Sequence, residues 1–185
     1  TLLAREFIQN NFVDKGMVAD WAFHIDKTAS GELQPHVHVM LTMREVNSEG
    51  FGQKVREWNR KEELMQWREA WATNANRHLA MHGHDIQIDH RSNAEQGISL
   101  EAQYKIGASV AGDRAEKMAR MEDHQRIARE NGEKIFSDPQ IALDAITKQQ
   151  STFTHQDLAR FIHRHTEDAE QFQQVYDKVK LSPEI

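Results

Sequence analysis

The stretch "QPHVHVMLTMR", residues 34–44, decides how this chain is read. Side chains on a strand alternate between its two faces, so His36 and His38 share one face while Val37, Val39, Leu41 and Met43 line the other. Two imidazoles so spaced stand roughly 6 to 7 Å apart along a strand and can converge on one ion between them. Upstream, "MVADWAFHI" at 17–25 is rich in the aromatic and β-branched residues that suit a pleated surface. Between the two runs, "DKTASGELQP" at 26–35 clusters Asp, Ser, Gly and Pro, as a loop does. Strands joined in this way can pair antiparallel, which brings His24 beside His36 and His38. Three neutral imidazoles leave coordination positions open on a divalent ion, which can then polarise a phosphoryl or carbonyl oxygen.

A plainer reading stands beside this one. A His-x-His pair in a strand is more often two solvated or hydrogen-bonded histidines, and eleven histidines make chance pairs easy. "HGH" at 82–84 has the same spacing but falls where a helix ends, with Gly83 as its cap, and reads as a solvated terminus. Other histidine frameworks fail on spacing. The HxHxDH pattern of metallo-β-lactamases needs Asp at 40, where Met40 stands. A cupin motif wants a carboxylate where Thr42 or Met43 stands, and a 2H phosphoesterase wants a hydroxyl two residues after its histidine. His36 and His38 are followed at that distance by His38 and Met40.

Composition narrows the function classes. With 185 residues, 38% of them hydrophobic, the chain suffices for one ordinary domain, or a small one plus part of another. A net charge of −6 argues against coating nucleic acid by bulk electrostatics, so any DNA-handling role needs a local basic groove or a bound metal. The absence of cysteine removes disulfides, thiolate ligands and a thiol nucleophile. No run approaches the roughly 20 apolar residues of a membrane span, and the expectation is a soluble, cytoplasmic protein. The chain opens without methionine in "TLLAREFIQNNF", which already reads as helix, so it is expected to be cut from something longer.

The rest of the chain reads as helices around that sheet. "NRKEELMQWREAWATNANRHLAMHG" at 59–83 offers Asn59 and Glu62 as a capping box, with Leu64, Trp67, Trp71, Ala75 and Leu79 at core spacing. Ile86 and Ile88 then alternate as in a strand that ends in the polar cluster Asp89, His90, Arg91 and Ser92. That cluster suits either ligand orientation and phosphate binding or an ordinary surface turn. Residues 113–134 carry balanced charge and no broad apolar face, and read as a solvated helix ended by Gly132. Pro139 opens a short helix to about Lys148, and Thr154 with Asp157 caps another bearing Leu158, Phe161 and Ile162. Phe172, Val175 and Val179 repeat on a third. These three read as the start of a helix-turn-helix-type module or as a plain helical adaptor. The expected fold class is α+β: an antiparallel sheet carrying the histidine cluster, covered by helices and followed by an all-helical C-terminal segment.

"PHVHVMLTMREV" at 35–46 and "WREAWATNANRHLAMHGHDIQIDHRSNAEQGI" at 67–98 resemble the MobA/MobL relaxases of conjugative plasmids, in particular the Ti-type TraA relaxase-helicases. The likeness runs from residue 1 to about 107, and residues 132–185 look like the stretch leading into the helicase half of such proteins. "HVH" is then the motif of the HUH endonuclease class with valine as its hydrophobic member. The resemblance implies that 1–108 is the C-terminal part of a relaxase domain, 109–135 a charged helical linker and 136–185 the start of a helicase-proximal domain. It implies a divalent ion, Mg or Mn, on His24, His36 and His38, withdrawing charge from the scissile phosphate of single-stranded DNA at a transfer origin. A tyrosine then attacks, leaving a 5′-phosphotyrosine and a free 3′-OH. Asp89 and His90 match catalytic-centre positions of the family's "DHR", Asp89 as an orienting group. Arg44 and Arg91 are placed against the DNA backbone. Other relaxosome proteins are further expected partners, in a bacterial cytoplasm.

One departure bears on activity. The family's nucleophilic tyrosine lies well upstream of the histidine motif, whereas the two tyrosines here are Tyr104 and Tyr176. The expectation is that the nucleophile lies upstream of Thr1 and that this chain alone binds metal without nicking. Two rivals remain: a non-catalytic DNA-binding or docking piece of a split relaxase, and an unrelated histidine-metal hydrolase.

Overall fold

The computed structural model describes residues 1–27, 31, 33–103 and 114–185. Tyr104, the junction near 108 and part of the 26–35 loop therefore lie outside the described residues. The chain divides into two compact units, Thr1–His84 with Ile88–His90, and Asp85–Gln87 with Arg91–Ile185. The fold class is α+β.

The first unit opens with helix α1 (Leu2–Asn11), which ends in a short 3-10 turn and Gly16 at φ 94, a left-handed conformation that glycine adopts without a Cβ penalty. Strand β1 (Ala19–Lys27) then pairs antiparallel with β2 (Leu33–Leu41). The apolar run does not continue as one strand through Met43: β2 ends at Leu41. Thr42 donates its N–H to the Val18 carbonyl at 3.1 Å, and its hydroxyl accepts from the Val18 N–H at 3.0 Å. A side-chain oxygen has taken the place of the next ladder carbonyl, and the main chain leaves the sheet.

Strand β3 (Arg44–Asn47) begins a separate antiparallel pair with β4 (Gly50–Lys54), a hairpin that sequence reading did not single out. Its turn is closed by Asn47 Oδ1, which accepts from the Glu49 N–H at 2.9 Å, and by Gly50 at φ 112. Helix α2 (Lys61–Met81) follows. The Asn59–Glu62 capping box is not formed: Asn59 ends a 3-10 turn, and Arg60 precedes the helix without a side-chain cap. An N-cap needs extended backbone, and the wound backbone of that turn denies it at Asn59.

Ile8, Phe12 and Met17 form the core of this unit, with Trp21, Val37, Val39, Leu41 and Trp67 packed against them. Phe12 meets Trp67 edge-on at 5.0 Å between ring centroids, and Phe7 meets Trp71 edge-on at 5.1 Å. Ala72 and Ala75 are the buried residues of α2, whereas Leu64, expected in its core stripe, is 52% exposed. Helices α1 and α2 are also tied by Glu6, which pairs with Arg77 and with His78. The bonds from those two side chains hold the Glu6 carboxyl below its ordinary range.

The second unit is helical: α3 (Arg114–Ser137), α4 (Gln140–Thr147), α5 (His155–Arg164) and α6 (Ala169–Lys180). Contrary to the sequence reading, α3 runs through Gly132, and its second half is not a solvated connector. Ile127, Ala128, Asn131 and Ile135 are buried there. Ile135 joins Leu143, Ile146, Leu158, Ile162, Val175 and Val179 in one core. Buried Asn131 completes its amide on the Glu101 main chain, accepting from its N–H at 2.9 Å and donating to its carbonyl at 2.8 Å. Thr154 and Asp157 form the capping box expected for α5.

Candidate metal centre

The β1–β2 register sets the geometry. His24 lies directly opposite His36, Ala22 opposite His38, and Asp26 opposite Gln34. Residues paired in register share a face, so all three histidines stand on one side of the ribbon. The other side carries Ala19, Trp21, Val37, Val39 and Leu41 against the core. Burial of that apolar side pins the register, because a slip of one residue would turn every one of these side chains to water.

The ring centroids of His24 and His36 are 5.5 Å apart, and those of His38 lie 5.0 Å from each. One nitrogen from each ring falls within 4.8 Å of the others. His24 and His38 are exposed and His36 is half-buried, so the rings can close further around an ion. His36 Nδ1 lies 3.0 Å from the Gln34 carbonyl. A carbonyl oxygen only accepts, which assigns a proton to Nδ1, so that in the neutral ring Nε2 is the nitrogen with a lone pair for a metal ion. Asp26 Oδ2 is 3.6 Å from that Nε2. Imidazole nitrogens with a carboxylate nearby suit a divalent first-row ion.

The remaining sequence candidates are dispersed. The His90 and Asp89 side chains approach to 3.9 Å and line a cavity of about 400 Å³ with Phe7, Phe12, Trp67 and Trp71. They are not members of the histidine group, the one such group among the described residues. Their segment is not a strand either. Asn76 takes over the pairing of Ile88, donating to its carbonyl at 2.9 Å and accepting from its N–H at 2.8 Å, so no ladder partner is needed. Arg44 sits on β3 and donates to the Gly52 carbonyl at 3.0 Å, within its own hairpin. Arg91 belongs to the second unit, where its carbonyl accepts from Gln96 at 2.8 Å. Tyr176, on α6, stacks on Phe172 with centroids 5.6 Å apart.

Sequence reasoning passed over Asp26. Its signal was the even spacing from His24, which puts both on one face; "DKTASGELQP" looked like loop from its first residue, whereas β1 extends to Lys27.

Comparison with known proteins bears on the same residues. The family model described as "MobA/MobL family" matches residues 1–117. "Conjugal transfer protein TraA" of Rhizobium radiobacter is 33% identical, over 99% of this chain and 19% of its own length. The protein of the same name from Agrobacterium fabrum is 32% identical with the same coverage. "Mobilization protein A" of Escherichia coli is 32% identical over 58% of this chain and 17% of its own length. The chain thus spans about one fifth of the length of the TraA relatives it matches. No solved structure matches.

Proposed function

This chain belongs to the MobA/MobL family, and from that premise we propose that it is part of a relaxase of plasmid conjugation and mobilisation. The proposed reaction is metal-dependent, strand-specific nicking of origin-of-transfer DNA by tyrosine transesterification. The observation that carries it is the convergence of His24, His36 and His38 on one sheet face. The names of the TraA and mobilisation relatives support it.

When bound, a divalent cation, Mg or Mn, supplies Lewis-acid withdrawal of charge from a phosphoryl oxygen. His24, His36 and His38 hold it through ring nitrogens, and the Gln34 carbonyl keeps His36 in the tautomer whose Nε2 is available. In the transesterification a tyrosine oxygen bonds to phosphorus as the P–O3′ bond breaks, and the 3′ oxygen leaves to take up a proton. Neither Tyr104 nor Tyr176 is assigned that attack: Tyr176 packs on a core aromatic of the second unit, and Tyr104 follows the histidine motif. The nucleophile is assigned to sequence outside this chain.

Asp89 and His90 are assigned orienting roles, Arg44 and Arg91 contacts to DNA phosphate. The assigned partners are single-stranded origin DNA and other relaxosome proteins, in the bacterial cytoplasm. Among the described residues no helix is long and apolar enough to cross a membrane. Residues 1–108 are assigned to the relaxase domain and 136–185 to the start of a helicase-proximal domain, with 109–135 as a charged helical connection whose last turns pack into the core of the second unit.

Calorimetry with Mn²⁺, followed by incubation with single-stranded origin DNA with and without the ion, tests this reading. The expected result is metal binding that is lost when His36 and His38 become alanine, with no covalent DNA adduct. Metal-dependent attachment through Tyr104 would overturn the nucleophile assignment. Absence of metal binding in the unaltered chain would leave a non-catalytic DNA-binding or docking piece of a split relaxase.

A further inference from the structure

We infer that Asp26 is the anionic member of the cation site, its carboxylate giving the ion a hard oxygen beside the three imidazoles; the inference rests on the metal reading above. Asp26 sits one pair along from His24 and His36 on the same face, opposite Gln34. Its Oδ2 lies 3.6 Å from His36 Nε2. With the ring proton committed to the Gln34 carbonyl through Nδ1 at 3.0 Å, Nε2 of the neutral ring is a lone pair, and the carboxylate is also an acceptor. Two acceptors facing each other repel unless something positive lies between them. That something is a second ring proton or a metal ion.

Spacing and charge favour the ion. Donors at about 2.0 to 2.2 Å from one ion stand roughly 2.8 to 3.1 Å apart at right angles and roughly 3.3 to 3.6 Å apart at tetrahedral angles. The 3.6 Å between Oδ2 and Nε2 lies at the upper end of the tetrahedral range; the carboxylate stands outside the group formed by the three rings and reaches the ion by turning about its side-chain bonds, which its exposure permits. Three neutral imidazoles leave both charges of a divalent ion uncompensated, and a carboxylate offsets one of them. A hard oxygen also biases the site toward Mg²⁺ and Mn²⁺, which take oxygen ligands more readily than Zn²⁺ does relative to nitrogen donors. Asp26 itself is well exposed, with 68% of its side chain accessible, so replacing it removes no core contact.

The test is calorimetry of Mn²⁺ and of Zn²⁺ on the full chain and on Asp26→Asn at neutral pH, with thermal unfolding in EDTA as a check on the fold. Mn²⁺ affinity is expected to fall on the order of tenfold, and Zn²⁺ affinity by less, while unfolding in EDTA is unchanged. An Mn²⁺ affinity within about threefold of the unaltered chain would overturn the inference and reduce Asp26 to a partner of protonated His36. An equal loss for both ions would also overturn it, since it would report disturbed rings rather than a lost oxygen. If the unaltered chain binds neither ion, the metal reading fails first, so the two failures are distinguishable. Should Asp26→Asn unfold earlier in EDTA, Asp26→Glu repeats the comparison with the carboxylate kept, and must retain more Mn²⁺ affinity than Asp26→Asn.

Discussion

His24 faces His36 directly across the β1–β2 ladder, their ring centroids 5.5 Å apart. The pairing that holds them there is main-chain hydrogen bonding backed by an apolar face, so the cluster's position does not depend on the histidines themselves. Substitutions in the cluster should therefore separate metal affinity from fold stability.

His38→Ala is expected to leave unfolding in EDTA within about 0.5 kcal/mol of the unaltered chain, as for an exposed site. The unaltered chain should gain about 2.7 kcal/mol with the ion at 100 times its dissociation constant. His38→Ala should lose most of that gain. Thermal denaturation with and without Mn²⁺ reads both quantities; a metal-induced shift that survives in His38→Ala would count against the site.

Asn131 and Asn76 perform the same bonding task in different surroundings. Asn131 is fully buried where it brackets Glu101, whereas Asn76 brackets Ile88 at the surface. Asn131→Ala removes a fully buried amide and both its bonds to the part-buried Glu101 main chain, and should cost about 1 to 3 kcal/mol. Asn76→Ala, where water replaces the lost amide, should cost under about 1 kcal/mol. Urea titration of both variants checks the order, and faster amide exchange at Ile88 should accompany the second.

Thr154 caps α5 by accepting from the Asp157 N–H, and Asp157 answers by accepting from Thr154. Thr154→Ala should destabilise the second unit by about 0.5 to 2 kcal/mol. The Thr154 bonds hold the Asp157 carboxyl below its ordinary 3.8. Its contribution is thus present above that pH and fades as pH falls below it. Acid unfolding of Asp157→Asn should show a shallower loss there.

His165 goes from neutral to cationic on protonation where Asp157 goes from anionic to neutral, and the two share the same sign of pH dependence. Burial lowers its pKa below the ordinary 6.5, partly offset by its bond to the Phe161 carbonyl at 2.8 Å. Between the lowered folded value and 6.5, the unfolded chain binds more protons than the folded one, so stability is lost as pH falls through that window. Unfolding of the second unit followed from pH 7 downward should show this slope, and His165→Gln should flatten it.

Legibility in the sequence followed the range of the interactions involved. Alternation from Val37 to Leu41 and the capping pair Thr154–Asp157 were readable because each is a local regularity, two residues or one helical turn apart. The end of β2 was not, because Thr42 stops it through Val18, a partner 24 residues away. Gly132 was misread as a terminus because α3 finds its stabilising contacts on α6, where Gln171 donates to the Arg129 carbonyl at 2.9 Å. Packing there outweighs the roughly 1 kcal/mol of propensity that glycine costs a helix.

By itself the sequence determined which side chains share a face of β2: period-two spacing places His36 with His38, and Val37 with Val39 and Leu41, whatever the strand pairs with. Only tertiary structure decided which of those faces meet. Antiparallel register brought His24 and Asp26 to the histidine pair, while Asn76 drew Ile88 out of any ladder and left Asp89 and His90 against α2. The physical reason is that pairing between distant segments is selected by burying Val37, Val39 and Trp21 together, a free energy that belongs to the assembled core and to no single stretch of chain.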